Sequence, residues 1–130
     1  GPTVLEIHTK SLQSAAAYPA ALIAIEKTRA PVFLLCGKDR IWPSCDMVST
    51  LADRAAKNNA PVPEILRYPD TGHGVLGPPP ANGLRDNPLV TRLTRTREQD
   101  QAAREAGWPK VIAFLRAAMI GRAPYGGETQ

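Results

Sequence analysis

The sequence predicts an α/β fold in which two parallel strands are accompanied by flanking helices, in the order βαβα. Two short apolar segments, residues 31–36 and 64–68, have the length and composition of strands. About a dozen or more residues with a helical apolar pattern lie between them. A connection of this length suits a crossover between parallel strands, whereas a hairpin needs only a short turn.

Length and composition are those of one soluble globular domain. The 130 residues are 43% hydrophobic and 22% charged, and no apolar run approaches the roughly 20 residues that a membrane span needs. The net charge of +4 includes a local excess of arginine without interleaved aromatic residues, so nucleic-acid binding is not predicted. We interpret these arginines as a solvated loop and helix face, with contact to a phosphate-bearing substrate as the alternative. They are Arg85, Arg92, Arg95, Arg97 and Arg104.

The first two elements are a helical segment and a buried strand. Residues 10–28 are rich in alanine and have apolar side chains at helical spacing, although Pro19 should interrupt the helix. Residues 31–36 form a continuous apolar run that ends at Gly37. Such a run is typical of a strand that is buried on both faces of a parallel sheet.

A second helix and a second strand should follow. Ser44 can cap the helix through its hydroxyl, and Asp46 in the first turn favours the positive end of the helix dipole. The second strand covers residues 64–68 and is closed by Pro69, which has no amide hydrogen for a sheet ladder. The apolar stripe expected on the helix consists of Met47, Val48, Leu51, Ala52 and Ala55.

A long loop and a last helix complete the predicted fold. Residues 69–90 are rich in glycine and proline, and long loops inside compact domains are often functional. A helix is predicted over residues 94–119, with a kink or a restart at Pro109. The candidate core positions of this helix are Ala102, Ala106, Val111, Ile112 and Leu115.

The two cysteines are predicted to be free thiols. Cys36 lies in the first strand and Cys45 at the start of the second helix, and so few cysteines do not make a disulfide framework. Because free thiols favour a reducing compartment, the sequence predicts a cytoplasmic protein.

Asp39 and His73 each follow a predicted strand and form the most informative pair in the sequence. Loops at the carboxyl ends of adjacent parallel strands lie at one edge of the sheet, so these side chains should meet. A carboxylate bonded to one imidazole nitrogen fixes the tautomer, and the other nitrogen can then take a proton from a nucleophile. Acid followed by base is also the chain order that α/β-hydrolases use after their nucleophile. Taken singly, each residue could instead be an ordinary turn residue.

Three segments carry a more specific pattern. Residues 25–44 include Trp42-Pro43-Ser44 shortly after Asp39. Residues 68–73 have the pattern Tyr-Pro-x-x-Gly-His, and residues 108–115 begin with Trp-Pro. Together they resemble the C-terminal catalytic region of the acyl-CoA thioesterase and bile acid-CoA:amino acid N-acyltransferase family. The resemblance covers most of residues 22–116.

This resemblance implies a function and a division of the chain. Asp39 would be the acid and His73 the base of a catalytic triad that acts on an acyl-CoA or another ester or thioester. Residues 22–119 would be the C-terminal part of an α/β-hydrolase domain, after a partly helical extension (1–21) and before a flexible tail (120–130). No cofactor, metal site, nucleic-acid partner or membrane partner is predicted.

Trp42 and His8 are two further ring-bearing side chains, and each has an expected position. Trp42 is a candidate substrate-binding residue that lines the acyl pocket, although packing beneath the loop that carries Asp39 is the favoured alternative. His8 is expected to be an exposed polar residue.

The nucleophile of the triad has no matching position in this sequence. Neither Gly-x-Ser-x-Gly nor Gly-x-Cys-x-Gly occurs, and Cys36 and Cys45 are not placed on a sharp strand-to-helix turn. We expect a missing N-terminal half of the domain to supply the nucleophile, so the chain alone should be inactive. The alternative is a non-catalytic module that pairs with a partner, or with a second copy as a homodimer, through its exposed sheet edge.

Overall fold

Two parallel strands, β1 (Phe33–Gly37) and β2 (Glu64–Tyr68), form the sheet of this protein. The computed structural model describes residues 1–75, 77–81 and 97–120. In this part of the chain the strands are accompanied by three α-helices. The helices are α1 (Val4–Ala16), α2 (Ser44–Lys57) and α3 (Arg97–Ile120).

The register of the sheet brings the ends of the two strands side by side. Leu35 is opposite Leu66, and the last residue of β1, Gly37, is opposite the last residue of β2, Tyr68. The loops that follow the strands therefore leave the sheet at the same edge. The predicted α/β arrangement with two parallel strands joined through a helix is confirmed.

Helix α2 packs on β1, but its start and its buried face differ from the prediction. Val48 and Ala55 are buried as expected, whereas Met47 is 40% exposed. The predicted cap at Ser44 is wrong, because Pro43 occupies the cap position and Ser44 is the first helical residue. The Ser44 hydroxyl instead donates a hydrogen bond to the carbonyl oxygen of Gly37, at 2.7 Å.

The N-terminal helix begins earlier than the alanine pattern suggested. Helix α1 covers Val4–Ala16, and Thr3 and Glu6 form a reciprocal capping box at its start. Residues 10–16 of the predicted stretch are helical, and the helix has ended before Pro19, which opens a short 3₁₀ turn, Pro19–Ala21; the prediction that the stretch is helical in part and is interrupted at Pro19 is confirmed. The capping box determines the residue at which the helix starts, whereas a high alanine content does not indicate a starting residue.

The buried face of helix α3 agrees with the prediction only in part, since Val111 and Ile112 are half-buried as expected. Ala103 and Gly107 are buried, whereas the predicted core residue Leu115 is 46% exposed and Ala102 and Ala106 are also exposed. A β-carbon at Gly107 would lie 3.0 Å from the Tyr68 hydroxyl oxygen, so the absence of a side chain lets this face approach β2.

The helix is also continuous at Pro109, where a kink or a restart is predicted. It runs through Pro109 without a restart. Phe114, farther along, packs against Phe33 of β1 with ring centroids 5.2 Å apart. Residues 94–96, which the prediction included in this helix, lie outside the described part.

The prediction of two free thiols is wrong. Cys36 and Cys45 form a disulfide bond with their Cα atoms 5.1 Å apart, because the chain folds back after β1 and α2 begins beside the strand. The cytoplasmic location inferred from free thiols stays a prediction, without that support.

Several predicted features lie partly or wholly outside the described residues. These are residue 76 and residues 82–90 of the predicted 69–90 loop, the tail after residue 120, and Arg85, Arg92 and Arg95. Among the helices that the structure describes, none is both long and apolar enough to cross a bilayer.

Candidate active site

The loop between β1 and α2, residues 38–43, is called the acid loop here, and it holds Asp39 in a fixed orientation. The Asp39 amide donates to the carbonyl oxygen of Gly37 at 2.9 Å, which turns the chain sharply after the strand. Oδ1 of Asp39 accepts a hydrogen bond from the Ile41 amide at 2.7 Å, an arrangement typical of an Asx turn. The Asp39 side chain is only 6% exposed.

The chain that follows β2, residues 69–75, is called the base loop here, and it carries His73. Thr71 closes the first turn, since both its amide and its hydroxyl donate to the carbonyl oxygen of Tyr68, at 3.2 and 2.8 Å. His73 then opens a 3₁₀ turn, His73–Val75, whose other two residues are buried. The histidine is therefore presented at the start of a short, anchored turn.

The two loops bring Asp39 and His73 into direct contact. Nδ1 of His73 lies 2.6 Å from Oδ2 of Asp39. An ionised carboxylate can only accept hydrogen bonds, so Nδ1–H is the donor and the neutral ring keeps its lone pair on Nε2. The His73 side chain is 43% exposed, so the imidazole lies at the surface of the described part of the chain.

Trp42 and His8 form a stacked pair beside the acid loop. Their ring centroids are 3.9 Å apart with an angle of 30° between the planes. The prediction of an exposed His8 is wrong, because helix α1 lies against the loop and half-buries the imidazole. Trp42 is 41% exposed, so it packs on His8 with one part of its surface and offers another part to solvent.

Two cavities share Trp42 and Pro43 as lining residues. The larger, about 370 Å³, is bounded by Asp39 and by the start of α2, and His73 is not among its lining residues. The second, about 260 Å³, lies between α1 and α2 and is predominantly apolar, with Leu12, Leu22 and Leu51 in its wall. Both cavities have mainly apolar linings, and the larger one is also bounded by the Asp39 carboxylate, so together they suit a ligand with an apolar chain and one polar end.

Neither cysteine is available as a nucleophile in this structure, because both are in the disulfide. The Ser44 hydroxyl, which is also near the acid loop, donates to the carbonyl oxygen of Gly37. Within residues 1–75, 77–81 and 97–120, no group of three or more His, Cys, Asp or Glu side chains could hold a metal ion. The candidate site in this part of the chain thus consists of the Asp39–His73 pair and two cavities.

Sequence reasoning missed two contributors to this geometry. The Ile41 amide orients Asp39, and an Asx turn of this type could have been inferred from an aspartate in a short loop after a strand. The stacking of His8 on Trp42 had no signal in the sequence, since it depends on how α1 folds back on the domain.

Comparison with known protein families supports the resemblance of the motifs. The family model described as "BAAT / Acyl-CoA thioester hydrolase C terminal" matches residues 3–121. A search among curated proteins gave no match. The matched range contains both loops and all three helices.

Proposed function

Because the chain belongs to the BAAT / acyl-CoA thioester hydrolase C-terminal family, we propose that it supplies the acid and the base of a catalytic triad for acyl thioesters. The observation that carries this proposal is the 2.6 Å contact between Nδ1 of His73 and the nearly buried carboxylate of Asp39. Acid, base and chain order agree with a nucleophile–histidine–aspartate triad.

Each of the two residues has a defined role in the proposed reaction. Nε2 of His73 takes the proton of a serine or cysteine nucleophile as that group attacks the thioester carbonyl carbon. Asp39 stabilises the imidazolium that forms and keeps Nδ1 in the protonated state. When the carbon–sulfur bond breaks, His73 returns the proton to the leaving thiolate. A water or amine acceptor then attacks the acyl carbon and gives its proton to Nε2 of His73, which passes that proton to the nucleophile as the bond between nucleophile and acyl carbon breaks.

The nucleophile and the oxyanion hole are proposed to lie outside these 130 residues. In α/β-hydrolases the nucleophile precedes the acid and the base, on a sharp turn after a strand. No such motif occurs in this sequence, and neither cysteine is a free thiol. We therefore expect this chain alone to lack triad-based turnover.

Trp42 is proposed to contact the substrate. Its side chain borders both the cavity at Asp39 and the apolar cavity between α1 and α2. An acyl chain in the apolar cavity would pass the indole ring on its way toward the acid loop. The apolar lining is chemically suited to a hydrocarbon chain, since burying each methylene contributes about 0.8 kcal/mol.

The proposal is tested by measuring release of coenzyme A from acyl-CoA by the full-length protein that contains this chain. Asp39→Asn and His73→Ala should each lower kcat on the order of 10⁴-fold, since each removes one member of the triad. The control is Asp53→Asn, which removes the same charge at an exposed position of α2 and should leave kcat unchanged. Full activity in either site variant would overturn the assignment.

A second candidate function is a non-catalytic module that binds a partner through the sheet. In the described part of the chain, β1 pairs with β2 and no strand covers its other edge. A two-stranded sheet is marginal by itself, and an uncovered edge is a template for pairing. Light scattering on the isolated chain tests self-association: a concentration-dependent dimer would favour this alternative, and a monomer at all concentrations would remove the homodimer.

A further inference from the structure

A fully buried carboxylate lies on the helix that packs beneath the base loop. Asp100, in the first turn of α3, has 0% relative exposure. Aspartate is almost never fully buried unless its charge is compensated, because removing a carboxylate from water is costly. Its surroundings therefore have to supply strong hydrogen-bond donors.

Those donors are the two backbone amides on either side of His73. Oδ1 of Asp100 accepts from the amide of Gly72 at 2.6 Å, and Oδ2 accepts from the amide of Gly74 at 3.1 Å. Hydrogen bonds to an ionised acceptor are among the stronger ones in proteins. One carboxylate thus binds the chain immediately before and immediately after the candidate base.

The same helix also binds the carbonyl side of this loop. Arg104, one helical turn after Asp100, donates from Nε to the carbonyl oxygen of Gly74 and from Nη1 to that of Pro78, the latter at 3.3 Å. Helix α3 therefore contacts both polar groups of the Gly74 peptide backbone. A loop fixed in this way cannot slide along the helix without breaking several hydrogen bonds.

Glycines on both sides of His73 make such an anchor necessary. Glycine backbones have more conformational freedom than any other residue, so a Gly-His-Gly segment without external contacts would sample many positions of the imidazole. The contact between His73 and Asp39 depends on one of those positions, at a nitrogen-to-oxygen distance of 2.6 Å.

We propose that Asp100 is a positioning residue for His73, which acts by fixing the backbone that carries the imidazole. This inference rests on the proposed function only where it concerns catalysis; the positioning itself is a property of the fold. Asp100 hydrogen-bonds to the backbone amides of the loop, whereas the imidazole hydrogen-bonds to Asp39, so we assign Asp100 no part in proton transfer.

The test replaces Asp100 by asparagine and follows the imidazole directly. Asparagine keeps the shape but presents a donor where one of the two glycine amides needs an acceptor. The matched control is Glu98→Gln, which removes the same charge at an exposed position in the same helical turn.

Nitrogen-15 NMR of the isolated chain reports the His73 tautomer without any need for activity. The unsubstituted chain and Glu98→Gln should show one tautomer with Nδ1–H, whereas Asp100→Asn should show a mixture of tautomers. A folded Asp100→Asn chain with an unchanged His73 spectrum would overturn the proposal.

Hydrogen exchange on the unsubstituted chain keeps the proposal testable even if Asp100→Asn does not fold. The amides of Gly72 and Gly74 should exchange at least about tenfold more slowly than the amide of an exposed loop residue, because each donates to a buried carboxylate. Exchange at the rate of exposed amides would contradict the assigned contacts.

Kinetics of the full-length protein separate this inference from the proposed function. Asp100→Asn should lower kcat by about 10²-fold with little change in KM, as expected when a reacting group is displaced by about 1 Å. If that kcat is unchanged while Asp39→Asn is inactive, Asp100 has no role in positioning. If neither the unsubstituted protein nor any variant hydrolyses acyl-CoA, the proposed function fails. The NMR result then decides by itself whether Asp100 positions His73.

Discussion

Gly37 and Thr71 approach so closely that a side chain at the glycine would collide with the threonine. A β-carbon at Gly37 would lie 2.5 Å from the Thr71 hydroxyl oxygen and 2.9 Å from the Gly72 carbonyl oxygen. Gly37 ends β1 just before the acid loop, and Thr71 closes the first turn of the base loop. The two loops therefore touch at two places: Gly37 against Thr71 where they leave the sheet, and Asp39 against His73 farther along.

Gly37→Ala should therefore destabilise the protein and separate the two loops. We expect a loss of about 1–3 kcal/mol in the free energy of unfolding, because the backbone of the base loop has to move to admit a methyl group. Urea denaturation followed by circular dichroism measures the loss. Gly1→Ala is the control, since nothing lies within 4 Å of that position. Equal stabilities of the Gly37 variant and the parent would contradict the packing.

Tyr68→Phe should leave the protein as stable as before or more stable. In the described part of the chain the Tyr68 hydroxyl is buried without a hydrogen-bond partner, and burial raises the pKa of Tyr68. Removing the hydroxyl removes the cost of taking it out of water, so we expect the free energy of unfolding to rise by up to about 1 kcal/mol. Thermal or urea denaturation measures this change. Tyr18→Phe, at a site that is 70% exposed, is the matched control and should have no effect. A clear loss of stability in Tyr68→Phe would show that its hydroxyl has a partner.

Replacing both cysteines should lower stability by about 2–3 kcal/mol. The bond between Cys36 and Cys45 closes a short loop with a sequence separation of 9, and cross-linking such a loop reduces the entropy of the unfolded chain. The measurement compares the double variant Cys36→Ser/Cys45→Ser with the parent in urea. Thiol titration of the denatured parent should detect no free thiol, and two titratable thiols would show that the bond is absent.

The contribution of Glu26 to stability should depend on pH in the acid range. Arg54 holds both oxygens of the Glu26 carboxylate at 2.7 Å, and these hydrogen bonds lower the pKa of Glu26 from 4.5 to about 2. A lowered pKa in the folded state means that the stabilisation is complete above pH 4.5 and is lost as the pH falls toward 2.

This dependence is measured as the difference in unfolding free energy between the parent and Glu26→Gln. The parent should be the more stable protein at pH 7, and the difference should shrink steadily below about pH 5. In an Arg54→Met background the same Glu26 substitution should have a small effect at every pH. A difference that does not change with pH would contradict the ion pair.

Strand positions were predictable because local residues determine them. β2 covers Glu64–Tyr68 as predicted, since Pro69 cannot continue the ladder. β1 covers Phe33–Gly37, so it begins two residues later and ends one residue later than the predicted run of residues 31–36; a glycine at the end of an apolar run can still pair with a neighbouring strand.

Features that depend on distant contacts were not predictable. The buried face of α3 is set by the approach of Gly107 to Tyr68, and the disulfide depends on how the acid loop folds back. In the sequence, Asp100 is one polar residue inside a predicted helix, where a position on the solvent face is explanation enough. Its hydrogen bonds to the base loop appear only in three dimensions.

The most direct test of the central claim is a double-mutant cycle on acyl-CoA hydrolysis by the full-length protein. If Asp39 and His73 act as one unit, the double variant Asp39→Asn/His73→Ala should be no slower than His73→Ala alone, because the acid has no role without the base. Each single variant should be on the order of 10⁴-fold slower than the parent. Independent effects that multiply in the double variant, or a single variant with the activity of the parent, would contradict the account.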